Sequence, residues 1–128
     1  MTHDILIVDD EIEIVRLIAE VLADEGYAVR VAHDGPSALK AVMDASPALV
    51  LLDYWMPGMN GADVLVQLRG GGMRHLPVVL MSAGSRADMA ERSGADGFLA
   101  KPFDITALLE CVEQYASPDA SSSVVGGC

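Results

Sequence analysis

The sequence contains two short apolar runs in which no polar residue alternates with the apolar ones. These runs are ALVLL at residues 48–52 and VVLM at residues 78–81. A strand with one face in water alternates apolar and polar side chains, whereas a strand of a parallel sheet is covered on both faces and shows no such alternation. The two runs therefore predict central strands of a parallel sheet, which requires helices on both of its faces.

Segments with helical periodicity separate five apolar runs along the chain. The predicted strands are Ile5–Val8, Ala28–Ala32, Ala48–Leu52, Val78–Met81 and Gly97–Ala100. One helix is predicted after each strand. The first ends at Gly26, and the second begins at Gly35-Pro36. The third spans Gly61–Arg69, the fourth spans Arg86–Ser93, and the fifth begins after its cap Asp104. The predicted inward faces are Ile14, Ile18, Val21 and Leu22, then Val64, Leu65 and Leu68, and finally Ile105, Leu108, Leu109 and Val112. Five β–α units predict an α/β fold with a doubly wound, five-stranded parallel sheet in a three-layer α/β/α arrangement.

Length and charge restrict the class of protein. With 128 residues, of which 52% are hydrophobic, the chain can form one packed domain, and we expect it over residues 1–116. Residues 117–128 are small and polar and predict a flexible tail or the start of a linker. The net charge of −11 opposes binding to nucleic acid phosphates and to anionic membrane surfaces.

The chain shows no sequence signal for export or for a membrane span. Its apolar runs are far shorter than a bilayer requires, and its first five residues lack the basic start of a secretion signal. Its two cysteines, Cys111 and Cys128, are too few for a disulfide framework. We therefore expect a cytoplasmic protein.

Polar side chains stand where the predicted strands end. Asp9 and Asp10 follow the first strand, and Asp53 follows the third. In parallel sheets ligands bind at the carboxyl edge, so neighbouring first and third strands would bring these acids into one pocket. Three carboxylates repel one another there, and Mg²⁺, which takes carboxylate, water and phosphate oxygens, would resolve that repulsion.

Two further strand ends complete a site of the size of a phosphate group. Ser82 closes the fourth strand and can donate a hydrogen bond, while Lys101 follows the fifth and supplies a positive charge. A carboxylate beside Mg²⁺ can itself attack an activated phosphoryl group, which would leave an aspartyl phosphate on Asp53.

Four stretches, in this order, resemble the receiver domain of two-component response regulators. They are ILIVDDE, LLDYWMPGMNG, VVLMSAG and GFLAKPFD, and the resemblance covers residues 4 to about 116. It implies a flavodoxin-like strand order 2-1-3-4-5 and a phosphoprotein that works in phosphorelay signal transduction, as a free-standing receiver or one cut from a longer protein. It also implies that catalysis is limited to the chain's own phosphorylation and dephosphorylation.

The resemblance also assigns roles to individual residues. Asp53 would accept a phosphoryl group from a sensor histidine kinase, a phosphotransfer protein or acetyl phosphate, and the modified chain would then bind a downstream protein. Asp10 would contact Mg²⁺ directly, Asp9 through water, and the backbone carbonyl of Trp55 would be a further ligand. The remaining implied residues are Ser82 and Lys101 on the phosphoryl oxygens, Phe98 as an aromatic switch, and Pro102 as a candidate for a cis peptide bond.

Other functions remain open from the residues alone. A phosphohydrolase with an aspartyl nucleophile usually carries a general acid two residues after it, and here that position is Trp55. An interaction module of the same fold that works without phosphorylation would have no need of the acids at the strand ends. A flavin-binding domain would need a phosphate-binding loop after the first strand, which this sequence lacks.

Overall fold

The computed structural model describes residues 4–83 and 94–116. Within these ranges five strands and four helices follow one another. They are β1 (Asp4–Val8), α1 (Ile12–Asp24), β2 (Ala28–Ala32), α2 (Gly35–Asp44), β3 (Leu49–Asp53), α3 (Gly61–Gly70), β4 (Val78–Ala83), β5 (Gly97–Lys101) and α4 (Ile105–Ala116). The helix predicted over 86–93 and the tail predicted over 117–128 lie outside the described residues.

All five strands are parallel and stand in the order β2-β1-β3-β4-β5, as predicted. The chain passes from β1 outward to β2 and then returns to β3 on the other side of β1. The direction of winding therefore changes between β1 and β3, which is where open α/β sheets bind ligands. Val8 pairs with Leu52 in this register, so the residues that follow them emerge side by side at the carboxyl edge.

The central strands are covered on both faces, as their uninterrupted apolar sequences predict. On one face, Leu6, Val8, Val50 and Leu52 pack with the buried residues of α2 and α3. On the other face, Ile5, Ile7, Leu49 and Leu51 pack with those of α1 and α4. The sheet thus lies between two helical layers, and the carboxyl edge remains for polar groups. No helix within residues 4–83 and 94–116 has both the length and the apolar character needed to cross a bilayer.

Two helices bury faces that differ in part from those predicted. In α1 the buried residues are Val15, Ile18 and Leu22, while Ile14 and Val21 are half-buried. In α4 they are Leu108, Cys111, Val112 and Ala116. The inward position predicted for Ile105 is wrong, because this side chain is 50% exposed. Ile105 is the first residue of α4, and the buried face of that helix begins one turn later.

Candidate functional site

Three carboxyl groups meet at the carboxyl edge of the sheet. Asp9 and Asp10 directly follow β1, and Asp53 is the last residue of β3. One oxygen atom from each of the three lies within 4.8 Å of the others. Asp9 and Asp53 are 0% and 3% exposed, whereas Asp10 is open to solvent. The strands therefore bring acids from distant parts of the sequence to one spot, as the topology predicted.

Backbone contacts fix the position of Asp9. Its N–H donates to the carbonyl oxygen of Ala32 at 3.1 Å, which ties it to the end of β2. Its Oδ1 accepts the N–H of Glu11 at 2.9 Å. The Nδ1 atom of His33 lies 3.2 Å from the Asp9 carbonyl oxygen, and it must carry the proton to donate there. Asp9 is thus held in place by the end of β2 on one side and by Glu11, just before α1, on the other.

Lys101 enters the acidic group from β5, two strands beyond β3. Its Nζ lies 2.8 Å from Asp9 Oδ2, 3.2 Å from Asp53 Oδ1 and 3.3 Å from Glu11 Oε1. The Lys101 side chain is only 12% exposed, so its ammonium takes part in a largely buried ion pair. Buried carboxylates need such a partner because a lone charge in the interior costs several kcal/mol. The peptide bond from Lys101 to Pro102 is cis.

The burial of these groups changes their protonation. Loss of water around Asp53, together with the negative charge of Asp9, raises the pKa of Asp53 to about 6, although Lys101 acts in the opposite direction. Burial alone would lower the pKa of Lys101, but its hydrogen bond to Asp9 and the charges of Asp53 and Asp9 outweigh burial and raise it. Lys101 therefore remains an ammonium at neutral pH, while the carboxyl group of Asp53 takes up a proton as the pH falls through about 6.

Ser82 and Phe98 lie on the two strands beyond Asp53. Met81 pairs with Asp53 across β3 and β4, so the next residue, the buried Ser82, lies one step further along the same edge. Ser82 pairs in turn with Ala100, the residue before Lys101. Phe98 is half-buried and packs against the core on the side of α2 and α3. The structure thus brings Ser82 and Lys101 to the edge where the acids lie, and Phe98 lies on β5 three residues before Lys101.

The loop after Asp53 is closed by short backbone contacts. The N–H of Gly61 donates to the carbonyl oxygen of Tyr54 at 2.8 Å. The N–H of Tyr54 donates to the carbonyl oxygen of Met81, also at 2.8 Å. A Cβ atom on Gly61 would lie 2.7 Å from the carbonyl oxygen of Asp53, so only glycine allows this approach. The Asn60 side chain accepts the backbone N–H of Asp63, and the Asp63 side chain accepts the backbone N–H of Asn60. This reciprocal cap begins α3 directly after the loop.

A pocket of about 260 Å³ opens onto the acids. It is lined by Asp10, Glu11, Asp53, Trp55 and Lys101. Trp55 is 53% exposed and packs edge-to-face on Tyr54, with ring centroids 4.7 Å apart. The indole therefore stands at the rim of the pocket and leaves its mouth open to an incoming group.

Sequence reasoning missed the contacts of two residues near the site. No role was predicted for Glu11, yet its side chain reaches Lys101. His33 likewise had no predicted role, and although it is exposed its ring contacts the Asp9 carbonyl oxygen. The third consecutive acid in ILIVDDE was the one signal that could have suggested a role for Glu11 beyond the helix start.

Comparison with known sequences gives a consistent family. The family described as the response regulator receiver domain matches residues 5–113. Transcriptional regulatory protein CpxR of Klebsiella pneumoniae is 46% identical over 105 residues, which cover 80% of this chain and 44% of CpxR. DNA-binding response regulator MtrA of Mycobacterium tuberculosis is 40% identical over 108 residues, covering 80% of this chain and 46% of MtrA. The chain thus spans less than half the length of these relatives.

Solved structures agree with the fold. The receiver domain of NtrX from Brucella abortus is 39% identical and superposes with a TM-score of 0.82, covering 90% of this chain and 99% of that domain. Chemotaxis protein CheY4 of Vibrio cholerae is 28% identical, with a TM-score of 0.84 and coverage of 90% and 99%. The chain therefore belongs to the response regulator receiver domain family of two-component signal transduction.

Proposed function

We propose that this chain is a phosphorylation-controlled switch in which Asp53 accepts a phosphoryl group from a phosphohistidine on a sensor kinase or phosphotransfer protein, or from acetyl phosphate. One observation carries the proposal. The buried carboxyl group of Asp53 lies within an acidic group, 3.2 Å from the Lys101 ammonium, and it lines a pocket of about 260 Å³. Lys101 is thus within reach of a phosphoryl group bound to Asp53.

The donor set fits Mg²⁺. Three carboxylate oxygens within 4.8 Å of one another form a hard, negatively charged group of the kind that this ion prefers. Asp10 and Asp53 would hold the ion directly, Asp9 through water, and the carbonyl of Trp55 would be a further ligand. The pairing of Asp9 with Lys101 at 2.8 Å suits an indirect contact for Asp9. When bound, the ion supplies positive charge that offsets the carboxylates and the phosphoryl oxygens.

The chain's own residues make and stabilise the acyl phosphate. A carboxylate oxygen of Asp53 attacks phosphorus, and the bond from phosphorus to the donor's imidazole nitrogen breaks, with its electron pair remaining on that nitrogen. Lys101 neutralises charge on the transferred oxygens, and Ser82 donates its hydroxyl hydrogen to one of them. We propose that hydrolysis of the same bond is the only other reaction of the chain, so it acts as a switch and not as an enzyme on external substrates.

Phosphorylation changes the balance between two arrangements of the loops at this edge. It adds roughly −1.5 to −2 charges and three acceptor oxygens to Asp53. Ser82 and Lys101 close on these oxygens, and Phe98 turns inward behind them. A switch from nearly off to nearly on needs about 5 kcal/mol of differential contact, which charge-assisted hydrogen bonds and the metal can supply. The changed surface then binds a downstream protein.

An apolar hollow beside the site is suited to the phosphodonor protein. It has a volume of about 310 Å³ and is lined by Ile14, Leu17, Ile18, Lys101, Pro102 and Phe103. Leu17 is 56% exposed, and Lys101 belongs to both the hollow and the acidic site. We expect Leu17→Glu to slow transfer from a histidine kinase and to leave labelling by acetyl phosphate unchanged. Met43→Glu, on the more exposed side of α2, is the matched control.

The partners proposed here are proteins in the cytoplasm. The net charge of −11 favours neither nucleic acid nor an anionic membrane surface as a ligand of this chain. The names of relatives such as MtrA state DNA binding for those longer proteins.

Trp55 provides the test, because it is the chain's one tryptophan and stands at the rim of the pocket. Mg²⁺ and then beryllofluoride, a phosphoryl mimic, should change its emission in the wild type. Asp53→Asn should remove the response to beryllofluoride. An unchanged response in Asp53→Asn, or the absence of any response in the wild type, would contradict the proposed function.

A further inference from the structure

We propose that Glu11 is a positioning residue: it keeps the Lys101 ammonium at the pocket after a metal ion has engaged the neighbouring carboxylates. The proposal deepens the function proposed for Asp53 and rests on it. Glu11 does not touch the reacting atoms in this scheme and acts through Lys101.

Among the described residues, three carboxylates contact Lys101, and they are of two kinds. Asp9 and Asp53, at 2.8 Å and 3.2 Å, belong to the acidic group whose oxygens lie within 4.8 Å of one another. Glu11, at 3.3 Å, does not belong to that group. Glu11 is therefore the partner of Lys101 whose negative charge a metal ion in the acidic group would not offset.

A divalent cation changes the balance of forces on Lys101. It offsets the negative charge of Asp9 and Asp53, and it also repels the ammonium nearby. Both effects favour movement of Lys101 away from the pocket, at the moment when an incoming phosphoryl group needs its charge. Glu11 keeps its own negative charge, so its attraction for Lys101 opposes that movement.

The local backbone places Glu11 for this role. Its N–H donates to Asp9 Oδ1 at 2.9 Å, which fixes the residue beside the acidic group. Its side chain then reaches to Lys101 on β5, and both residues line the same pocket. The Glu11 side chain is 58% exposed, so it stands at the mouth of the site and not within it.

A simpler role for Glu11 is to stabilise α1 through the helix dipole, since it stands immediately before the helix. Glu13 lies in the first turn of the same helix and would share that role. It is exposed and does not line the pocket. Glu13→Gln is therefore a matched control, because it loses the same charge near the same helix end.

The first measurement is the affinity for beryllofluoride at saturating Mg²⁺, followed by Trp55 emission. We expect Glu11→Gln to weaken this affinity about two- to fivefold, the range given by an exposed ion pair, and Glu13→Gln to leave it unchanged. Equal affinities in the two variants overturn the proposal. Tighter binding in Glu11→Gln also overturns it, because repulsion of the anion would then be the dominant effect of Glu11.

The second measurement observes Lys101 directly and needs no phosphoryl mimic. The chain has two lysines, Lys40 and Lys101, so nitrogen-15 labelling of lysine gives two side-chain ammonium signals. In Mg²⁺-saturated wild type we expect the Lys101 ammonium hydrogens to exchange slowly with water, and in Glu11→Gln to exchange as fast as those of the exposed Lys40. Slow exchange retained in Glu11→Gln, or already lost in Mg²⁺-loaded wild type, overturns the proposal. If Trp55 emission in the wild type does not respond to beryllofluoride, the proposed function fails together with this proposal. If the wild type responds but Glu11→Gln and Glu13→Gln bind beryllofluoride equally, only the role proposed for Glu11 fails.

Discussion

Replacement of Asp53 by Asn should stabilise the metal-free protein above about pH 6 and leave its stability unchanged near pH 4. The cause is the charge that the folded chain must bury. Loss of water and the neighbouring Asp9 raise the pKa of Asp53 from 3.8 to about 6. The ionised form is therefore less stable in the folded state than in the unfolded chain, and Asn removes that charge while keeping the shape of the side chain.

The sign follows from the two pKa values. Below about pH 4 the carboxyl group is protonated in both states, so the wild type pays no electrostatic cost for it. As pH rises from 3.8 to about 6, the unfolded chain loses this proton before the folded chain does, and the free energy of unfolding falls. Above about pH 6 the loss is complete, and the gap between the two pKa values corresponds to roughly 3 kcal/mol. Asp53→Asn should gain that amount, or roughly 10 °C in melting temperature.

Urea denaturation of wild type and variant in EDTA, from about pH 4 to about pH 8, measures the difference. Asp44→Asn is the control, because Asp44 forms an exposed pair with Lys40 and its removal should change the free energy of unfolding by less than about 1 kcal/mol at any pH. Mg²⁺ should reduce the advantage of Asp53→Asn, since the ion stabilises the ionised carboxylate of the wild type. A variant as stable as the wild type across the whole range, or less stable at about pH 8, would refute the reasoning.

Three further predictions concern the same chain. Mg²⁺ competes with a proton for Asp53, so its affinity should fall up to about tenfold for each pH unit below about 6; a tryptophan emission titration with a flat pH profile would contradict this. Gly61→Ala should destabilise the fold by about 1–3 kcal/mol and abolish labelling by acetyl phosphate, because the new Cβ would lie 2.7 Å from the Asp53 carbonyl oxygen. Gly70→Ala, which has open space around it, should do neither, and equal melting temperatures for the two variants would refute the prediction. Arg69→Met should lower the free energy of unfolding by about 2–4 kcal/mol, because the guanidinium donates to three backbone carbonyls and one carboxylate; a change below about 0.5 kcal/mol in urea denaturation would show that water replaces these bonds.

The sequence predicted the location of the acids because parallel topology turns strand ends into a shared edge. Uninterrupted apolar runs such as ALVLL can be buried on both faces only in a covered sheet, and that sheet dictates where Asp53 emerges. The strand order required the family resemblance, since periodicity alone does not say which strands are neighbours. Once β1 and β3 are adjacent, Asp9 and Asp53 must meet.

Side-chain contacts between segments that are distant in the sequence could not be predicted from the sequence alone. Glu11 and Lys101 are 90 positions apart, and the direction in which a glutamate at a helix start points depends on what packs around it. The same reason explains Ile105, whose helical spacing suits the buried face but whose place at the first position of α4 leaves it 50% exposed. Periodicity predicts which face of a helix is buried and says little about how far along the helix burial extends.

The most direct test of the account is to trap the acyl phosphate and locate it. The protein is incubated with acetyl phosphate and Mg²⁺, reduced with borohydride, which converts an aspartyl phosphate to homoserine, and mapped by peptide mass spectrometry. Homoserine is expected at position 53 only, and none when EDTA replaces Mg²⁺. Homoserine at position 9 or 10, or equal labelling with and without the metal, would contradict it.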